Sequence, residues 1–334
     1  MMDLLNALVL LGNFVILPAV AYGSQLALGA LGVTLVFGIL RFANFAHGDL
    51  MAFGTMLTIL LTWWLIGMGV SLGPLPTALL ALPAGIAGAV AISLLFDRFV
   101  FRFYRKQKSP PIVFVMVSVG VMFILNGVVR IIMGPEAQRF ADGERFLVTV
   151  RGFRQLTGLD EGLVIRLPVA MTVVITVIVV AALFVFLQNS RTGKAMRAYS
   201  DNEDLALLSG VSPERVVAVT WIIAATLATI AGVLYGLDKG FLPFTYFQLL
   251  LPIFASVILG GIGQPLGAIA GAFIVAFSEV ALTYPYTRVL SYLGYETTGL
   301  AQLLATEYKF AVSFFILVLV LLIRPTGIFR GRLS

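Results

Sequence analysis

The chain has 334 residues, of which 60% are hydrophobic and only 11% charged, with a net charge of +6, one histidine and no cysteine. Soluble domains carry about 25% charged residues, so a mean hydropathy of +1.03 marks a polytopic membrane protein with the bilayer as its solvent. The counts exclude disulfides, thiolate nucleophiles, cysteine metal sites and a multi-histidine metal centre. The excess of cations is what basic cytoplasmic loops produce, with no need for a nucleic-acid partner.

A span requires ~20 mostly apolar residues. In chain order the candidate runs are 4–20, 24–40, 49–66, 76–97, 111–133, 167–187, 216–236, 248–262, 266–283 and 309–324. Several are short, so the reading is a single all-α domain over 1–334, a bundle of roughly eight to ten transmembrane helices. The start, Met-Met-Asp-Leu-Leu-Asn, lacks a basic leader region, and the first apolar run is expected to be a retained span.

Between 26 and 66 the apolar stretch is interrupted by Asn44-Phe45-Ala46-His47-Gly48-Asp49. Two readings stand. It is a cytoplasmic turn with Arg41 at the inner face and Gly48 or Asp49 opening the next helix, or it is a broken helix inside the bundle. Freed backbone groups at membrane depth are tolerated only against protein or a water-filled path, as in transporters. On the second reading Asn44, Phe45, His47 and Gly48 line a gate or a hydrogen-bonded hinge. Trp63, Trp64 and Trp221 are expected to be interface anchors.

Arg98, Arg102, Arg105, Lys106 and Lys108 occupy 98–110 with no acid among them, which places that loop in the cytoplasm. Asn126 and Arg130 follow one helical turn apart on the next span, so they share a face. The segment 134–166 balances Arg139, Arg145, Arg151, Arg154 and Arg166 against Glu136, Asp142, Glu144, Asp160 and Glu161 and is read as external. Alternation then puts 188–215 inside, 284–308 outside, and the tail with Arg324, Arg330 and Arg332 back in the cytoplasm.

The segment Arg191 to Arg215 is a polar island between apolar runs. Thr192 is expected to cap a helix and Gly210 to stop it. Lys194, Arg197, Asp201 and Asp204 recur at three- and four-residue steps and share one face. Ala195, Ala198, Asn202, Ala206 and Ser209 form a neighbouring face of small residues. Ser212 with Pro213 opens the next helix. This is either a solvated surface helix or a docking helix. Further on, Gly232 and Gly236, and Gly263, Gly267 and Gly271, recur at every fourth residue, a spacing that permits close helix approach; packing within the chain is the simpler use, a subunit interface the other. Glu279 lies within a span near its outer end, where an acid is costly and faces the interior or a cavity; Arg130 is one candidate partner and the headgroups are the alternative.

Four ordered blocks carry a family resemblance. They are A-L-G-V-T-L-V-F-G-I-L-R-F-A-N-F-A-H-G-D-L at 30–50, the G-K-A-M-R-A-Y-S-D-N-E-D-L-A-L-L-S-G-V island with R-V-V-A-V-T-W and A-G-V-L-Y-G after it, I-L-G-G-I-G-Q-P-L-G-A-I-A-G-A-F at 258–273, and R-P-T-G-I-F-R-G at 324–331. Together they resemble the ABC importer permeases of the branched-chain amino acid family, the H-type subunit in particular. The resemblance implies that 191–215 is a coupling segment seated on a cytoplasmic ATPase, with Gly193, Arg197, Ala198, Asn202, Ala206 and Gly210 on the family pattern and Asp201, Glu203 and Asp204 completing the surface. Tyr199 and the acidic pair Glu203–Asp204 depart from that pattern and bear on the choice of ATPase.

The family also implies an M-type permease partner, two ABC ATPase subunits, a soluble substrate-binding protein, a bacterial inner-membrane location and the compact many-helix importer fold. No G-x-x-x-x-G-K-[ST] loop occurs, so the chain is expected to be a permease without catalytic residues or a bound cofactor, ATP being used by its partners. The pathway candidates are Asn44, Phe45, His47, Gly48, Asn126 and Glu279. Branched-chain or related amino acids are the implied cargo and urea or a short-chain amide the alternative. An ion-coupled secondary transporter is the alternative class, favoured by midplane acids and internal repeats.

Overall fold

The computed structural model describes residues 2–141, 145–295, 301–324 and 326–329; Asp142, Glu144, Arg330 and Arg332 lie outside them. Nine helices among these residues are long and apolar enough to cross a membrane. They are α1 Met2–Leu40, α2 His47–Gly67, α3 Ala78–Lys106, α4 Pro111–Met133, α6 Leu167–Asn189, α9 Pro213–Lys239, α10 Pro243–Gly260, α11 Pro265–Thr283 and α13 Thr306–Ile323. The shorter helices are α5 Val150–Thr157, α7 Arg191–Asp201, α8 Glu203–Leu208 and α12 Thr287–Tyr292. One two-stranded antiparallel ribbon, β1 Phe146–Val148 with β2 Ile165–Arg166, is bonded ahead of α6.

Proline and glycine mark the boundaries. Proline stands in the first turn of α4, α6, α9, α10 and α11, where its missing N–H has no intrahelical use. Gly134 and Gly240 end α4 and α9.

The runs 4–20 and 24–40 are not two spans but one helix of 39 residues, about 58 Å long at ~1.5 Å per residue. Gly23 alone does not break it, and that position packs against Phe273 of α11. A π-helical turn at Gly12–Ile16 divides α1. Its first part packs on α12 through Ala7, Leu10 and Val289, and Asn13 holds the 162–164 backbone through Gly162 O at 2.6 Å and Val164 N–H at 2.8 Å. Its second part is embedded in the bundle.

The loop expected from 98 is likewise helical as far as Lys106, with a π turn at Asp97–Phe101. Asp97 accepts two bonds from Arg105 (2.6 and 3.0 Å) and one from Trp221 Nε1 (2.8 Å). Trp221 is therefore a buried core residue in tilted contact with the Phe101 ring, not an interface anchor. Trp64 is 59% exposed, as an anchor requires.

The central helix is α9: its apolar window is 72% buried, against 17% for α13 and 22% for α3 and α6. α9 packs on α1, α2 and α3, α11 packs on α1 and α10, and α13 closes on α10 and α11. Close backbone contacts set these interfaces. A Cβ on Gly267 would lie 2.1 Å from Gly260 O, one on Gly271 2.1 Å from Ser256 O, and one on Gly232 2.8 Å from Met51 O. The glycine spacing is thus used inside the chain at 232, 267 and 271, while Gly263 is a turn residue with φ 82°. Overpacking costs roughly 1–3 kcal/mol. Gly267→Val is expected to lower the melting temperature and the folded yield in mild detergent; an unchanged melting curve would contradict this contact.

Candidate functional site

The polar island is two short helices, not one. Ser190, rather than Thr192, caps α7, its Oγ accepting from Gly193 N–H at 2.8 Å. Asn202 adopts an extended conformation (φ −154°, ψ 108°) and its Oδ1 accepts from Leu205 N–H at 3.0 Å, so it ends α7 and caps α8. Gly210 (φ 81°) makes the stop, and Val211 N–H returns to Ala206 O at 3.0 Å. Ser212 precedes Pro213 but makes no side-chain cap bond.

The predicted site residues divide between the two sides of this segment. Lys194, Arg197, Ala198, Asp201, Asn202, Glu203, Asp204 and Gly210 face outward, while Gly193 and Ala206 are buried against the bundle with Met196 and Tyr199. A Cβ on Gly193 would lie 2.3 Å from Phe186 O, so this glycine forms the corner between α6 and α7. Sequence periodicity missed Leu205 (61% exposed) and Leu208 (85%), because the break at Asn202 resets the helical phase. The result is a charged surface with an uncovered apolar centre. Burial, with Glu203 adding to it, holds the Tyr199 hydroxyl well above the usual phenol range, so Tyr199 stays neutral and donates to Glu203 Oε1 at 2.5 Å.

This segment is bonded directly to the end of α1. Arg41 Nη2 donates to Ser200 O at 2.7 Å and Ser200 Oγ to Gly38 O at 3.0 Å. Arg41 takes the left-handed conformation (φ 60°), and the chain turns through 42–46 into α2. The turn is buried: Asn44 is 2% exposed and His47 0%. Asn44 Oδ1 accepts from Ala46 N–H at 3.1 Å, and Phe45 N–H donates to Ser118 Oγ at 3.1 Å. Asn126 Nδ2 donates to Asp49 Oδ1 at 2.6 Å, with Arg130 as the facing cation. At ~1.5 Å per residue, Ser118 and Asn126 lie roughly 10 and 22 Å along α4 from Pro111. The interruption is therefore a turn, but one anchored deep in the bundle, its backbone satisfied by protein as lipid demands.

Gly48 packs against Tyr246 O, and the His47 ring lies against Gly32 of α1. Asp49 is the residue the sequence undervalued, read only as a helix opener.

Glu279 belongs to a different cluster at the other end of the bundle. Ser313 Oγ donates to its Oε1, and Lys309 and Tyr22 face it. Its surroundings come from α1 and α13, not from Arg130, which faces Asp49. The spacing of Lys309 and Ser313, one turn apart at the start of α13, was the available signal.

A helical bundle with nine apolar helices among the described residues and a small polar surface at one end is a multi-pass membrane protein. The family model for the branched-chain amino acid transport system / permease component matches residues 15–321, and the chain belongs to that family. It is 31% identical over 316 residues to the high-affinity branched-chain amino acid transport system permease protein LivH of Escherichia coli K12, covering 92% of each chain. It is 29% identical over 309 residues to BraD of Pseudomonas aeruginosa, a permease protein of the same description, again with 92% of each chain covered. Among solved structures, PsaBC from Streptococcus pneumoniae in complex with Fab aligns over 93% of this chain and 91% of that chain, with a TM-score of 0.45 and 12% identity.

The Asp49–Asn126 pair gives a direct test. Asn126→Leu strips a charge-assisted bond from a buried carboxylate and is expected to cost about 1.5–3 kcal/mol. Adding Asp49→Asn should recover part of that loss, because the orphaned charge is gone. Thermal unfolding of the three variants in detergent checks this; additive losses would show that the pair is not coupled.

Proposed function

We propose that the chain is the H-type permease subunit of an ABC importer for branched-chain or related amino acids. In this reading it pairs with an M-type permease, two ABC ATPase subunits and a soluble binding protein in a bacterial inner membrane. It binds no cofactor and performs no covalent chemistry; ATP is used by the partners. The end carrying 41–46, 107–110 and 190–212 faces the cytoplasm with the C-terminal residues, and 134–166 faces outward, consistent with the basic residues at 98–108.

The observation that carries the proposal is the junction between α7 and the α1–α2 turn. The outward residues Arg197, Ala198, Asp201, Asn202, Glu203, Asp204 and Gly210 form the docking surface, centred on Leu205 and Leu208. Gly193 and Ala206 support it from beneath. A push on this surface reaches Ser200, then Arg41 and Gly38, then the buried turn with Asn44, Phe45, His47 and Gly48, and across to Ser118 and Asn126 on α4. That gives nucleotide-driven movement a physical route into the bundle. Glu279, 1% exposed, serves the opposite end, where it ties α11 to α13. An ion-coupled secondary transporter would need no such surface, and urea import would need the same surface with different cargo.

The complete importer in proteoliposomes should take up L-leucine only with ATP and binding protein, and excess urea should not compete. Leucine uptake without ATP would overturn the proposal; competition by urea would transfer it to the amide class. Arg197→Glu, which reverses charge on the docking face, should reduce ATPase co-purification and transport while the bundle keeps its melting temperature. His47→Ala should slow uptake more than it reduces assembly, and unchanged uptake would make the turn a structural element only.

A further inference from the structure

Near the end that adjoins the polar island, α3 carries the π turn Asp97–Phe101, in which Arg102 N–H bonds to Asp97 O five residues back. Such a turn inserts one extra residue into a helix and recurs at functional sites. In an unbroken α-helix, residues seven apart return to one face, and the eighth is turned about 100° further. The inserted residue brings Arg105, eight beyond Asp97, back over it. Arg105 Nη1 and Nη2 donate to Asp97 Oδ1 and Oδ2 at 2.6 and 3.0 Å, a bidentate fork that adds geometric specificity to charge. Trp221 Nε1 of α9 donates to the same Oδ1 at 2.8 Å.

The last residue of the turn is seated as firmly. Phe101 is 1% exposed. Its ring meets Phe42 of the 42–46 turn at 5.5 Å between centroids and Trp221 at 5.2 Å. Arg102 pairs with Glu214 in the first turn of α9. Arg105 also acts on the polar island: burial and then Glu203 raise the Tyr199 hydroxyl, and Arg105 and Arg41 are the cations that oppose them. One guanidinium thus faces both Asp97 in the bundle and the Tyr199–Glu203 pair of α7 and α8.

We propose that Asp97 and Arg105 are positioning residues for transport, carrying movement of α7 and α8 into α9 as a second link beside Arg41. The transport role rests on the importer reading above; the register of α3 rests on the fork and the ring contacts. When the polar helices shift, Tyr199 and Glu203 draw on Arg105 against Asp97. Release of the fork lets the π turn change register, which rotates the end of α3 and moves Phe101 against Phe42 and Trp221. Tyr199 and Glu203 then serve the bundle as well as the outward surface.

The register is read in the full chain, whose lack of cysteine lets Phe103→Cys carry a single environment-sensitive fluorophore at a position 55% exposed. Asp97→Asn and Arg105→Gln should shift its emission alike, and Arg105→Lys by less. An unmoved emission in the first two would overturn the register. The link is read in the complete importer as leucine carried per ATP hydrolysed. Both variants should lower that ratio at least about fivefold, the lower end of coupling between two sites, while the ATPase still co-purifies. Combining them should lower it no further than either alone. An unchanged ratio, or a fall matched by loss of ATPase co-purification, would overturn the positioning role. Tyr199→Phe, which removes only a hydroxyl, gives the same reading should the Asp97 variant fold poorly. Failure of wild type to couple leucine uptake to ATP would overturn the importer reading and the transport role with it, and leave the register standing on the fluorophore.

Discussion

Helices in a bilayer have little hydrophobic reason to associate, because lipid tails are as apolar as leucine. What remains is close packing and the pairing of polar groups, and both converge on α9 and its neighbours. Gly232 brings α9 against the Met51 carbonyl of α2, and Gly267 and Gly271 bring α11 against α10. These contacts leave no room for a Cβ, so helix spacing is fixed by backbone rather than by adjustable side chains. Once the spacing is set, Trp221 reaches Asp97, Tyr246 OH reaches Gly232 O at 2.8 Å, and the 42–46 turn is enclosed.

That rigidity gives the turn its importance. A turn at the membrane surface would be solvated and free to relax. Here the Phe45 N–H is bonded to Ser118 within the bundle, and Asp49, in the first turn of α2, to Asn126, while Arg41 and Gly38 beside the turn hold the polar helix outside. The same few residues are thus tied to both the soluble-facing surface and the interior. Movement of one without the other would break these hydrogen bonds, of which Arg41–Ser200 is exposed and the others part-buried.

Much of this was legible in the sequence. Spans opened by proline, such as Pro111–Met133 and Pro265–Thr283, fall within a residue or two of their apolar runs. Features that depend on partners distant in sequence were not. Nothing near Trp221 announces Asp97, 124 residues away, and nothing near Glu279 announces Ser313, 34 residues away. The merging of 4–20 with 24–40 was hidden because one glycine is compatible with either a turn or a helix. At Asn202 the break carries a side-chain bond to Leu205 N–H, and beyond it Leu205 and Leu208 lie on the surface, which the spacing of the charged residues did not reveal. The outward face of α7 and α8 was visible as charge; its apolar centre was not.

The role proposed for α7 and α8 is to meet a separate ATPase at the cytoplasmic end. The chain has no cysteine, so one introduced by Asp201→Cys is the only thiol it contributes. Photo-crosslinking from that thiol in the assembled transporter is the most direct measurement. An adduct with the ATPase subunit is expected, its yield changing when ATP is bound, with no labelling by impermeant reagents from outside intact cells. Labelling from outside, or no adduct in any nucleotide state, would contradict it.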